Sequence, residues 1–218
     1  MTTSKVLALA AMSLLAIPAT AAAGTWDIDP AHSTIEFSVK HMMVSTVKGQ
    51  FEKVKGTIEL DDKDVTKSNV EVTIDLTSVN THEPKRDGHL KSPDFFDVAK
   101  YPTATFKSTK IQKGVKKLKV TGDLTLHGVT KPVVLEVEGP SAASKTPFGT
   151  TVRGVHATGK IDRKDFEIGW NKVLDNGGVL VGNEVTLEFN AELTEKAPPG
   201  VIEAAPAKPA APAAKPAK

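Results

Sequence analysis

Apolar and polar residues alternate with a period of two through most of the chain. Between Ser33 and Lys40, the apolar residues Ile35, Phe37 and Val39 are spaced by Thr34, Glu36 and Ser38. Val70, Val72, Ile74 and Leu76 alternate with Glu71, Thr73 and Asp75. Leu118, Val120, Leu124 and Leu126 alternate with Lys119, Thr121, Asp123 and Thr125, and Gly122 falls on the apolar parity. Val133, Leu135 and Val137 follow, and Val185, Leu187, Phe189, Ala191 and Leu193 complete the set. Successive side chains of a strand point to opposite faces, so each run predicts a strand with one apolar and one wet face. Phe51 differs in parity from Gly56, Ile58 and Leu60, and a bulge near Lys53–Val54 would reconcile them.

Turn signals separate the runs. His127-Gly128 lies between two strands that pair naturally as a hairpin, Gly139-Pro140 closes the next, and Asp175-Asn176-Gly177-Gly178 makes a loop before the last. The pattern is all-β and antiparallel, with little helix. So many strands with one apolar face each point to a sheet closed on itself, which also removes sticky edges. One segment, Thr81–Lys100, has no strand periodicity. Pro84 opens a short helix through Leu90, and Ser92 caps a second short turn with Pro93 at its first position. Phe95 and Phe96 are adjacent, so they point different ways, and a barrel mouth is the place to bury them.

The flanks differ from the middle. Met1–Lys5 carries one positive charge, Val6–Ile17 is an apolar run, and Ala21-Ala22-Ala23 satisfies the small-residue rule for signal peptidase. Residues 1–23 therefore read as a signal peptide, with a retained membrane anchor as the alternative. The run falls short of the ~20 residues that span a bilayer comfortably. Residues 197–218 are Ala, Pro and Lys with almost nothing to bury, and read as a disordered tether. Its cations could grip an anionic surface weakly or remain simply solvated. One domain, residues 24–196, remains.

Composition narrows the function. Apolar residues make up 39% and charged residues 25% of the 218, which is enough to build a core. Net charge is +2; Lys5 accounts for +1 and the tail for +2, which leaves −1 for everything between. A nucleic-acid partner is not expected of such a domain. The absence of cysteine excludes disulfides, thiolate metal sites and cysteine nucleophiles.

Several stretches together resemble one known family. They are Asp29-Pro30-Ala31-His32-Ser33 with Phe37-Ser38-Val39-Lys40-His41, Ser78-Val79-Asn80-Thr81, Arg86-Asp87-Gly88-His89-Leu90-Lys91-Ser92-Pro93-Asp94-Phe95-Phe96-Asp97, and Tyr101–Phe106. The most specific is Gly122–Val133, with Leu124-Thr125-Leu126-His127-Gly128-Val129-Thr130-Lys131-Pro132 at its centre. Through Gly24–Glu195 the chain resembles the YceI-like family of exported isoprenoid-binding proteins.

That resemblance implies an eight-stranded antiparallel lipocalin-like barrel with a short helical insertion at residues 81–100. It also implies an apolar tunnel holding a polyisoprenoid chain, of the quinone or prenyl-phosphate type. The residues of inward parity would line it: Ile35, Phe37 and Val39; Phe51 and Ile58; Val72, Ile74 and Leu76; Phe106; Val120 and Leu124; Leu135 and Val137; Leu187 and Phe189. Phe95 and Phe96 would join them at the mouth. Ala104, Gly122, Ala157 and Gly159 favour a hollow interior over a filled one, since an eight-stranded barrel can be either. A chain lipid needs only a dry apolar tube, where each buried methylene contributes about 0.8 kcal/mol.

Polar chemistry is sparse. His82 and His89 flank Glu83 and Asp87, but their spacing matches no tight ligand motif, and no metal or cofactor beyond the lipid is expected. His41, Arg86, Asp87 and His89 read as ties between the loop and the barrel; alternatively, Arg86, His89 and Lys91 meet a ligand head group. His127 satisfies loop backbone, and His156 faces outward. His32 and Ser33 are neighbours in a strand and point apart, so no Ser–His–Asp arrangement is legible and no enzymatic activity is expected. In Ile161–Trp170, Asp162 caps a short turn, and Phe166 and Trp170 pack on one end of the barrel, with ligand contact as the alternative. The function expected is carriage, storage or sequestration of an isoprenoid in the periplasm or outside the cell. The alternative is an envelope stress or surface scaffold whose cationic tail engages the envelope. A homodimer is compatible with either.

Overall fold

Pairing between strands follows the alternation around a complete circle. In the computed structural model, residues 24–196 except Asn176 are described; the segments read as leader and tail lie outside them. The strands are β1 (Gly24–His41), β2 (Ser45–Phe51), β3 (Val54–Leu60), β4 (Asn69–Asp75), β5 (Val79–Asn80), β6 (Thr103–Lys113), β7 (Leu118–Leu126), β8 (Val129–Glu138), β9 (Ser144–Lys145), β10 (Thr151–Asp162) and β11 (Val181–Glu195). One α-helix, α1 (Pro84–Lys91), interrupts them.

The order around the sheet is β11-β10-β8-β7-β6-β4-β3-β1, and β11 pairs again with β1 to close it. Both β2 and β3 lie along β1, end to end, so they act as one strand and the barrel has eight. All pairings are antiparallel. The register puts the apolar parities opposite one another: Phe37 faces Leu187, Val72 faces Phe106, and Val120 faces Leu135. Closure leaves no long free edge, which is the physical advantage of a barrel over an open sheet.

Three local expectations are corrected. The parity change after Phe51 is a two-residue interruption at Glu52–Lys53 rather than a bulge. Both amides turn to Ser78, Glu52 N–H to its carbonyl (3.2 Å) and Lys53 N–H to its hydroxyl (3.0 Å). Leu76 leaves the strand and opens a 3-10 turn, Leu76–Ser78, capped by the Asp75 carboxylate, yet it is buried at 1% exposure. Gly122 and Gly159 do not mark empty space. A Cβ on Gly122 would strike the Phe106 ring, and one on Gly159 would strike Leu135, so those side chains already fill the gaps.

The His127-Gly128 turn joins β7 to β8 with both residues at positive φ, 53° and 77°. α1 starts at Pro84 as predicted, its first turn capped by the Glu83 carboxylate, and runs one residue beyond Leu90. Ser92 caps a turn that does not grow into a second helix. The far end of the barrel is closed by a separate apolar cluster of Trp26, Ile58, Leu60 and Leu193.

Candidate ligand cavity and its mouth

Two cavities occupy the barrel interior, with volumes of about 270 and 140 Å³. They share walls: Ile35, Ile74, Leu124, Leu187 and Phe189 line both. The first also takes Phe37, Val39, Phe51, Leu76, Phe95 and Phe96, together with Ala104. The second takes Ile58, Val72, Phe106, Val120, Leu135 and Val137, together with Ala157. Every apolar position singled out from strand parity thus borders one cavity or the other. The inward face of a closed sheet has nowhere else to point.

Basic side chains border only the first cavity: Lys40, His41, Arg86, His89 and Arg163. α1 and the turn after it bring two of them there. Arg86 is held by its own segment, with Nε donating to Thr81 Oγ1 and Nη2 to the Thr81 carbonyl, both at 2.8 Å. Asp87 locks the same residue, its Oδ1 accepting from the Thr81 amide (2.8 Å) and hydroxyl (2.5 Å). Arg86 and Asp87 therefore bond to Thr81, the first residue of their own segment, so these bonds hold the segment together rather than tie it to a strand. His89 pairs with Asp94 at 2.8 Å and sits against Phe95. Phe95 is buried and packs on Trp170, whereas Phe96 turns the other way onto Phe51. Lys91 does not border either cavity. It lies on the last turn of α1, where its charge helps hold the Asp75 carboxyl below its ordinary pKa, after the larger effect of the Thr77 hydrogen bond.

Sequence reasoning missed the most buried charge, Arg163, at 4% exposure. Its guanidinium donates to the carbonyls of Gly182 (2.9 Å), Ile168 (2.6 Å), Trp170 (2.9 Å) and Val181 (3.4 Å). Burial pulls its pKa down from the ordinary arginine range. One side chain thereby staples residues 168–182 across the mouth. Nothing in Ile161-Asp162-Arg163-Lys164 distinguishes it from the exposed Lys164. As expected, Asp162 caps the short 3-10 turn Arg163–Phe166, and Phe166 is core. Trp170 lines the first cavity, where the alternative of ligand contact would put it.

The remaining histidines lie elsewhere. His127 Nδ1 contacts the Phe166 carbonyl at 3.2 Å, and His156 faces outward beside Glu188 at 3.2 Å. Between Asp29 and Thr34 the β1–β11 register shifts, and at this irregularity within β1 His32 turns to Asp29. Asp29 Oδ2 lies 2.7 Å and Glu192 Oε1 3.9 Å from His32 Nδ1. Their hydrogen bond raises the His32 pKa and lowers that of Asp29. These three donors lie within 4.8 Å of one another, a set able to hold a divalent cation. It is hidden in the sequence because Glu192 comes from the last strand.

The family model described as the YceI-like domain matches residues 26–193, nearly the whole barrel. The chain belongs to the YceI-like family. Relatives of this YceI-like barrel include a UPF0312 protein of Vibrio parahaemolyticus, 43% identical over 157 residues, covering 71% of this chain and 82% of the relative. A UPF0312 protein of Staphylococcus aureus is 41% identical over 167 residues, covering 76% and 95%. Among solved structures, the Campylobacter jejuni YceI protein is 34% identical with a TM-score of 0.61, covering 72% of this chain and 90% of that one. A polyisoprenoid binding domain from Saccharophagus degradans has the same fold at 18% identity, with a TM-score of 0.56 and coverage of 80% and 99%.

Proposed function

We propose that this YceI-like barrel binds a long-chain polyisoprenoid lipid of the quinone or prenyl-phosphate type, and carries, stores or sequesters it in the periplasm or outside the cell. The observation that carries the reading is the distribution of polarity along the interior. Apolar walls run from the Ile58 end to the Trp170 end, and basic side chains border only the latter. A chain lipid matches this gradient. Its tail requires no directional partner and gains about 0.8 kcal/mol per buried methylene. Its head group requires a polar site at one end, which Arg86 and His89 supply. A pyrophosphate or a quinone oxygen would suit the Arg86 guanidinium as donor, and a head-group hydroxyl could donate to the His89 nitrogen that does not face Asp94. The polyisoprenoid binding domain of the same fold is consistent with this use of the barrel by analogy. Export rests on residues 1–23, whose charge, apolar run and Ala-Ala-Ala end have the form of a signal peptide.

The test is direct. Protein purified without detergent from its own host is extracted with organic solvent, and the extract is analysed by mass spectrometry. The expected result is one isoprenoid per chain. A protein that yields none, and takes up none from detergent micelles, is not an isoprenoid carrier.

A further inference from the structure

The turn between β1 and β2 is built against local preference. His41 accepts from the Val44 amide at 3.1 Å, and the two central residues, Met42 and Met43, have φ of 52° and 60°. Two successive positive φ angles make a type I′ hairpin turn, the geometry that Asn-Gly and Asp-Gly fill without strain. Here both positions carry long apolar side chains. Packing on the barrel does not offset the strain, because Met42 is 43%, Met43 63% and Val44 86% exposed. Backbone held in a disfavoured region while presenting apolar side chains to water calls for an external partner.

The turn also sits on the rim of the cavity. Its first residue, His41, lines the mouth, and the Met42 amide donates to the carbonyl of Leu180, another lining residue, at 2.8 Å. The adjoining hairpin carries Val173, itself 80% exposed. Lys40 and Lys48 flank the turn in sequence and Lys172 precedes Val173; all three are exposed, and none forms an ion pair among the described residues. Residues 40–48 contain no acid, and Asp175 is the one acid on the neighbouring hairpin.

We propose that Met42, Met43, Val44 and Val173 form a docking tip that inserts into the interface of an anionic phospholipid bilayer, with Lys40, Lys48 and Lys172 on the head groups. The tip is one hairpin turn and one exposed residue of the neighbouring segment. A stable protein partner covers about 20 residues or more per side, whereas a bilayer closes around a small apolar projection such as these four exposed residues. Lysines next to the inserted residues add attraction to anionic lipid. The proposal rests on the carrier reading, and it places the cavity mouth against the membrane from which a lipid would enter or leave.

The test is flotation of the protein with vesicles of phosphatidylethanolamine and phosphatidylglycerol at about three to one, with micelle loading of isoprenoid measured in parallel. The tip variant is Met42→Asn, Met43→Asn, Val44→Ser, since Asn tolerates positive φ and the turn is kept. Wild type and variant share the same flanking segments, so a difference between them belongs to the tip. The expected result is a loss of vesicle binding of about tenfold or more, with micelle loading unchanged. Replacing Lys40, Lys48 and Lys172 by Gln is expected to remove the preference for anionic over neutral vesicles. Equal flotation of wild type and tip variant overturns the proposal. So does a wild type that ignores vesicles, including one whose tip crosslinks to a protein instead. Failure to load from micelles in both proteins counts against the carrier reading alone, because flotation still reports on the tip.

Discussion

The imidazole of His89 stands edge-on to the indole of Trp170, with ring centroids 4.7 Å apart and planes at 89°. This contact joins α1 to the segment after Phe166 across the mouth, and Phe95 touches both rings, at 5.0 and 5.3 Å. Trp170 borders the cavity, whereas Trp26 is 2% exposed in the cluster at the other end. Titration with an isoprenoid is therefore expected to change the emission of Trp170 alone. Trp170→Phe should abolish the fluorescence response, and Trp26→Phe should leave it. A response that survives Trp170→Phe would place the ligand elsewhere.

Arg163→Met is expected to destabilise the barrel by about 3 kcal/mol, since the carbonyls of Gly182, Ile168 and Trp170 lose the guanidinium that they share, while the Val181 carbonyl keeps its bond from Asn171. Arg163→Lys should recover only part, because one ammonium cannot reach the same spread of acceptors. Urea unfolding measures both. A Met variant within about 1 kcal/mol of wild type would mean that the staple carries little stability.

Val72 and Glu71 are neighbours with opposite facings. Val72 borders the second cavity opposite Phe106, while Glu71 pairs on the surface with Lys107 at 2.6 Å. Val72→Glu places a charge without a partner in an apolar interior and should cost several kcal/mol or eliminate lipid retention. Glu71→Val removes an exposed ion pair and should cost no more than about 1 kcal/mol. Gly122→Ala, which drives a methyl into the Phe106 ring, should cost about 1–3 kcal/mol. Chemical denaturation with lipid analysis separates the three; reversed ranks for positions 71 and 72 would invert the facing assignment.

The His32–Asp29 hydrogen bond sets a pH dependence. His32 has a folded-state pKa raised above the ordinary histidine value of 6.5, chiefly through that bond. Its stabilising contribution is therefore complete below the unfolded pKa and is lost as pH rises through the folded one. Asp29 is lowered below 3.8, so its contribution is present above that value and is lost as pH falls through the folded pKa. An NMR titration of the His32 ring should show a midpoint above 6.5 that falls towards it in Asp29→Asn. An unchanged midpoint in that variant would disprove the coupling.

Processing is expected at or within a few residues of Gly24. β1 begins at that residue, and Trp26, two residues on, is part of the far-end core, so later cleavage would remove structure. Mass spectrometry of the exported protein reads the N-terminus. A start at Met1 in the soluble extracellular fraction would refute the signal-peptide reading.

Strand positions and facings were legible in the sequence because the period of two is a local property, repeated in every run. Ile35, Val72, Val120 and Leu187 reveal their side of the sheet through their immediate neighbours alone. The helix at Pro84 and the turn at His127-Gly128 were legible for the same reason, since Pro at a first turn and Gly at positive φ act within a few residues.

What tertiary structure alone decided involves partners distant in the chain. The interruption at Glu52–Lys53 depends on Ser78, and the Asp29, His32 and Glu192 group depends on β1 meeting β11. Arg163 is buried because carbonyls from residues 168 to 182 fold back over it, whereas the next residue, Lys164, remains in water. Gly122 has the same inward parity whether the space beside it is empty or occupied, and only the position of the Phe106 ring on the neighbouring strand decides. Alternation determines which way a side chain points. How much room it finds there is set by packing across the closed sheet, which no local pattern encodes.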